Sequence, residues 1–266
     1  MVVRAKKAND LVAIKRHRME PEPLPDGEIP GNVTMSRALA LSAHGLTLNE
    51  ARVMMLATCC IDPRKSPYAY AKDGYVKVRV TASEFAKLSN LEPNARGETP
   101  MAAYEGLKAG CDKLFDRRAT WRDGQLQIRL AWVWKATYHD GEGWAEVCFS
   151  PDMTPHLFML NQKFVRYRLE FARGLRSNYS VNLLRLLMTQ KDTGFLTITL
   201  EKFKHAMEVP ESYRFADIKR YAILPPIKEL QEKSDLLIQC QEVKRGRSVY
   251  SLRFVFVPKP QSSLPL

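Results

Sequence analysis

In the C-terminal part of the chain the apolar positions change their period element by element. Val181, Leu184, Leu187 and Met188 fall on one face of a helix predicted over residues 177–190, and Leu196-Thr-Ile198 alternates as a minimal strand. Helical spacing returns in Leu200, Phe203 and Met207 behind Thr199 as cap, with Lys202 and His205 outward. After the Val209-Pro210 turn, a helix from about Glu211 turns Phe215, Ile218 and Ala222 inward and shows Arg214, Asp217, Lys219, Arg220 and Tyr221. Pro225-Pro226 should kink or restart it, since a residue before proline disfavours the helical region. In a closing ribbon Tyr250, Leu252, Phe254 and Phe256 face one way and Ser251, Arg253 and Val255 the other, with Lys244-Arg245-Gly246-Arg247 at the tip. Helix, short strand, helix, basic helix, ribbon is the order of a winged helix, which inserts one helix into the DNA major groove while the hairpin grips phosphates.

Upstream the plan recurs coarsely. Thr47-Leu-Asn-Glu50 is a capping box starting a helix to about Cys60, and Thr81-Ala-Ser-Glu84 is another behind the alternating strand Tyr75 to Val80. Thr99-Pro100 places a cap and a first-turn proline before a helix ending near Arg117-Arg118. Leu126, Ile128, Leu130, Trp132 and Trp134 then alternate with Gln127, Arg129, Ala131 and Val133, between the turn sequences Asp123-Gly124 and Asp140-Gly-Glu-Gly143. The expected fold is α+β with two tandem winged-helix domains. A proline-rich, flexible arm occupies 1–33, the first domain 34–150, the second 151–258 and a tail 259–266; Thr154, past the Ser150-Pro151 linker, caps a short helix.

Charge follows this division. Lys and Arg exceed Asp and Glu by 12 over the chain. The excess is +1 before residue 34, +3 over 34–150 and +8 beyond, where nineteen cationic side chains meet eleven acidic ones. That fits phosphate attraction in the second domain. Five cysteines without a CxxC pair read as reduced thiols of a cytoplasmic protein, and no apolar run is long enough for export or membrane spanning.

Phe164-Val-Arg-Tyr-Arg-Leu-Glu170, Leu175-Arg-Ser-Asn-Tyr-Ser180, Leu183-Leu-Arg-Leu-Leu187 and Lys191-Asp-Thr-Gly194 resemble the initiator proteins of iteron-containing bacterial plasmids. The likeness continues through Ile198-Thr-Leu-Glu-Lys-Phe203, Ser212-Tyr-Arg-Phe215, Ile227-Lys-Glu-Leu230, Ser234-Asp-Leu236 and Lys244-Arg-Gly-Arg-Ser-Val249. Leu46-Thr-Leu-Asn-Glu-Ala-Arg52, Ala103-Tyr-Glu-Gly-Leu-Lys108 and Leu114-Phe-Asp-Arg117 extend it upstream. The chain departs from the family pattern at Pro226, where Ala is commoner, and at Leu183-Leu184, where Tyr is common. The resemblance implies two winged-helix domains, binding to repeated origin sequences in duplex DNA as a monomer and repression of the initiator's own promoter as a dimer. It also implies contacts with the host replication initiator and the replicative helicase.

Arg214, Asp217, Lys219, Arg220 and Tyr221 are the candidates for the groove-facing helix, because Arg donates two parallel hydrogen bonds to a guanine edge and Asp accepts from cytosine; Asp217 alternatively pairs with Arg214 or Arg220. Lys202, Lys244, Arg245 and Arg247 are placed against phosphates. Ser177 and Asn178, at a helix start, either hold a phosphate or simply cap the helix. Lys72, Lys77, Lys108, Lys113, Arg117 and Arg118 would track a second stretch of backbone. Leu39, Leu46 and Val53 fall seven apart, but Gly45 and the Thr47 cap interrupt any zipper, so core packing is expected. The ribbon Gln127 to Lys135, paired with Trp144 to Phe149 and carrying Trp132 and Trp134, is the dimerisation candidate, with burial against the first domain's own helices as the alternative. No His-x-His, no GxxxxGK[ST] loop and no carboxylate grouping points to relaxase, nucleotide or two-metal chemistry, so no catalytic residue, metal or cofactor is expected. The rival readings are a winged-helix transcription regulator and a nicking relaxase or nuclease.

Overall fold

The computed structural model describes residues 31–67, 71–72, 75–158, 160 and 164–259. The expected arm up to residue 30 and the tail from residue 260 lie outside the described residues. Asn32 and Val33, assigned to the arm from sequence, instead open β1 (Asn32–Ser36), where Val33 is fully buried. A short α1 (Arg37–Ala40) leads to α2 (Leu48–Cys59). The α2 capping box forms as expected: Thr47 Oγ1 accepts from Glu50 N–H, and Glu50 accepts from Thr47 N–H. β2 (Ala71–Lys72) and β3 (Tyr75–Thr81) follow, and the second box starts α3 (Ala82–Ser89). α4 spans Met101–Asp112 with Pro100 at its N-cap, so it ends short of the expected Arg117-Arg118, in a 3-10 turn at Leu114–Asp116.

The expected single ribbon is two: β4 (Arg118–Asp123) pairs with β5 (Leu126–Ala131), and β6 (Val133–His139) pairs with β7 (Trp144–Phe149). β7 also pairs with β3, giving a four-stranded sheet in the order β2-β3-β7-β6. Helices α2, α3 and α4 with this sheet make the first winged helix. α4 lies so close to its neighbours that a Cβ on Gly110 would stand 2.7 Å from Val53 Cγ2 and 3.0 Å from the Asn49 carbonyl oxygen. Leu39, Leu46 and Val53 are buried.

α5 (Thr154–Leu157) leads to β8 (Phe164–Arg168), which pairs antiparallel with β1. Thr154 is not the cap expected from sequence: it is the first residue of the helix, with Met153 at the N-cap and no side-chain cap bond. The second winged helix is α6 (Asn178–Met188), β9 (Phe195–Thr199), α7 (Leu200–Ala206), the helix made of α8 (Phe215–Asp217), a π-helical stretch Ile218–Ile223 and α9 (Leu224–Lys233), then β10 (Leu236–Arg245) and β11 (Ser248–Pro258). Its sheet order, β10-β11-β9, mirrors β6-β7-β3 of the first. Strand β8 ties onto β1 across the expected division at residue 150, and one continuous apolar core joins the two units.

The π stretch has a local cause. Leu224 N–H bonds back five residues to the Lys219 carbonyl. In an α register the donor-less Pro225 and Pro226 would leave the Tyr221 and Ala222 carbonyls without partners, and Ala222 is fully buried. The five-residue register shifts that gap to Arg220 and Tyr221, which are exposed to water.

Candidate nucleic-acid interface

In the second module the outward groups gather along one helix and its wing. Asp217 accepts from Arg214 N–H (3.1 Å), capping the helix start and leaving the Arg214 side chain exposed. The Lys219 ammonium pairs with Glu242 on β10 (2.7 Å), which raises its pKa and tethers helix to wing. Arg220 lies over the ring of Tyr221 (5.3 Å to the centroid), and Tyr221, 44% exposed, leans on Tyr213. At the tip, Gly246 has φ +60° and Arg247 has negative φ, the pattern of a two-residue II′ hairpin, so Lys244, Arg245 and Arg247 cluster around a turn without a side chain. Lys202 is exposed on α7.

The wing carries a group that alternation misplaces. The β10–β11 register shifts between Val243 and Lys244, where Ser251 and Val249 are the successive partners, so Tyr250 is the extra residue. It is 42% exposed rather than inward, and Arg245 stacks 3.8 Å from its ring centroid. Sequence reading missed Tyr213, Tyr250 and Glu242 because each acts through a partner in another element.

The first-module candidates come from several elements. Lys108 on α4 pairs with Asp140 at the β6–β7 tip (2.9 Å), the same helix-to-wing tether that Lys219 makes in the second module. Lys113 is exposed, and Arg118 donates to the Phe115 and Arg117 carbonyls. Lys72 lies in β2 and Lys77 on the sheet face. Arg117 is a correction: its Nε and a terminal nitrogen clasp Glu50 (2.7 and 2.9 Å), a carboxylate only 2% exposed, because that buried capping group needs a charged partner. Asn178 is another, since its Nδ2 donates to the Leu46 carbonyl and joins α6 to the first module. Ser177 Oγ accepts from Tyr179 N–H, which is ordinary capping. Trp132 and Trp134 do not form a common apolar edge. Trp132 is buried with its N–H on the His44 carbonyl, whereas a bulge swings Trp134 outward onto Tyr75.

Among the described residues, no group of three or more His, Cys, Asp or Glu is placed to hold a metal ion, and no helix is long and apolar enough to cross a membrane.

Two family models match along the chain: the initiator replication protein WH1 model over residues 32–188 and the initiator Rep protein WH2 model over residues 199–256. The chain belongs to the iteron-plasmid replication initiator family. The WH2 model begins at Thr199, the cap of α7, and contains the helix and wing described above. A crystal structure of Pi initiator protein in complex with iteron DNA aligns with a TM-score of 0.70 at 20% identity, covering 87% of this initiator and 99% of that chain. An Escherichia coli protein described as an uncharacterized 27.6 kDa protein is 22% identical over 231 residues, 83% of this chain and 93% of its own length. The shared fold is the tandem winged-helix architecture expected from the order of elements.

Proposed function

We propose that this initiator binds the repeated sequences of a plasmid origin in duplex DNA, reading bases with the helix Phe215–Lys233 and holding phosphates with the β10–β11 wing. The observation that carries the reading is the exposed Arg214, Arg220 and Tyr221 beside a wing tip of three cations around a glycine. The similar Pi initiator, solved in complex with iteron DNA, supports binding to such repeats. Asp217 and Lys219 shape this surface through the cap and the tether, and Lys202 adds a cation on α7. In the first module Lys77, Lys108, Lys113 and Arg118, with Lys72, flank an adjacent stretch of backbone. Duplex opening follows from bending by several bound copies, without hydrolysis, cofactor or metal.

The same surface serves autorepression by a homodimer in equilibrium with the monomer. Among the described residues β6 has a neighbour on one side only, an edge that suits strand addition by a second copy. The host initiator and replicative helicase are the further partners, and the protein works in the cytoplasm. Fluorescence anisotropy on the repeats beside the gene tests the reading. Log affinity should fall against log salt with a slope near −0.9 per phosphate contacted, roughly six to ten of them. Equal affinity for repeats and scrambled duplex would overturn it. A plasmid carrying gene and repeats that is not maintained would favour a plain regulator, and nicking of supercoiled DNA by the purified protein a relaxase.

A further inference from the structure

We propose that Leu224 reads the 5-methyl group of a thymine in the major groove. The inference rests on the duplex-binding reading above and adds a recognised base to it. The buried face of the helix is complete without this residue. Ile218, Ala222, Ile223, Pro226 and Leu230 are buried, and Ile227 packs against the core from the flank. Leu224 is instead 53% exposed, with Tyr221 and Pro225 exposed beside it. A single exposed leucine carries no meaning on most surfaces, so the weight falls on its position.

Leu224 follows Arg220 by four residues and precedes Lys228 by four, so the three stand about one turn apart on one outward stripe. The π stretch ends at this point: Leu224 N–H bonds back to the Lys219 carbonyl, and α9 begins with Leu224 itself. Arg220 lies over the ring of Tyr221, 5.3 Å from its centroid. Lys228 is held loosely, 3.9 Å from Glu232 with both side chains exposed, and is free to turn to a phosphate. A leucine between two cations is carried onto whatever those cations grip. On the floor of the major groove the apolar group is the thymine methyl. Guanine shows N7 and O6, adenine N7 and an amino group, and cytosine an amino donor that leucine cannot satisfy. The rise over four helical residues is about 6 Å, less than two base-pair steps, which places the thymine within about two base pairs of the guanine taken by Arg220.

The fold does not require this side chain. In the first module the corresponding helix, α4, turns Glu105, Lys108, Ala109 and Asp112 outward, and its exposed large apolar residue is Met101 in the first turn. The second module's helix sets its leucine halfway along, between cations.

The test measures anisotropy of the full-length protein on repeat duplexes in which each thymine in turn is replaced by deoxyuridine, which removes the methyl and leaves base pairing and O4 intact. Wild type should lose roughly three- to tenfold in affinity at one or two positions, the worth of burying one methyl group. Leu224→Ala should lose a similar factor on the unmodified repeat and nothing further on the sensitive uracil repeat, because both changes remove one contact. A wild type indifferent to every uracil, uracil sensitivity that survives in Leu224→Ala, or a sensitive thymine far from the guanine that Arg220→Ala ceases to distinguish would overturn the assignment. Equal affinity for repeat and scrambled duplex would sink the duplex reading itself, whereas repeat-specific binding without methyl dependence sinks this one alone.

Discussion

Single side chains divide into those left facing solvent and those that hold the protein together, and the division depends on partners the sequence does not display. Arg220 and Arg117 look alike in a one-dimensional reading, since both follow a helical stretch with apolar spacing. Arg220 is solvated beside Tyr221, whereas Arg117 clasps a carboxylate sixty-seven positions away. Arg220→Ala should therefore cost about 1 to 3 kcal/mol on cognate repeats and less on random duplex, as for a bidentate base contact. Arg245→Ala should weaken both alike if, as proposed, the wing holds phosphates. Competition anisotropy on the two DNAs checks the contrast, and equal losses for Arg220→Ala would demote it to a phosphate contact. Arg117→Ala strands the buried Glu50 carboxylate and should instead lower stability by about 2 kcal/mol, read as a shifted urea midpoint. Capping signals such as Thr47 with Glu50 were legible because both partners lie within one turn. The Arg117 role was not, because it is set by long-range packing.

Helices and strands were legible wherever their period ran unbroken, and misread wherever one residue was inserted. The alternation through Trp132 and Trp134 fails at the β6 bulge, and the one ending at Tyr250 fails at the wing bulge, since an extra residue reverses every later side chain. The pairing of β1 with β8 joins segments far apart in the chain, which no local pattern announces. The prolines, by contrast, announced a break, and the π stretch is its form. Replacing Pro225 and Pro226 together with Ala restores two donors and permits an α register. That would rotate the Arg214–Tyr221 surface relative to α9 by about 100°, the turn of one helical residue. Cognate affinity should fall about tenfold or more while thermal stability holds; unchanged affinity would mean the π register does not aim the helix. On α4 the expectation runs against propensity. Gly110→Ala improves the helix by about 1 kcal/mol in isolation, yet its methyl would press on Val53 and the Asn49 backbone, so the melting temperature should drop.

Across the whole molecule, the loop before α2 is locked to the end of α7 by groups removed from water. Arg185, 3% exposed, donates to the Ser42 and Ala206 carbonyls, one from each module, and burial pulls its pKa down to about 10 against the opposing influence of Glu208. Glu208, in the left-handed region at φ +56°, accepts from His44 and Gly45 N–H. His44 sits inside this junction, edge-on to Trp132, and its Nε2 must donate because the Leu39 carbonyl only accepts. Burial first, then the neighbouring Arg185 charge, hold its pKa well below 6.5. The folded protein thus keeps His44 neutral at a pH where the unfolded chain already binds a proton, so stability is full above about pH 6.5 and declines as pH falls below it. The slope is at most about 1.4 kcal/mol per pH unit for one such group. His156, also lowered by burial, contributes in the same direction. Asp62, held at about 2 by Arg64, titrates too low to interfere. Urea midpoints between pH 7 and pH 5 should fall in the wild type, and the fall should shrink in His44→Gln, whose amide still reaches the Leu39 carbonyl without titrating. An unchanged slope in that variant would mean that His44 gains protons in the folded protein as readily as outside it, and the junction would then have to be relaxed enough to admit a second charge beside Arg185.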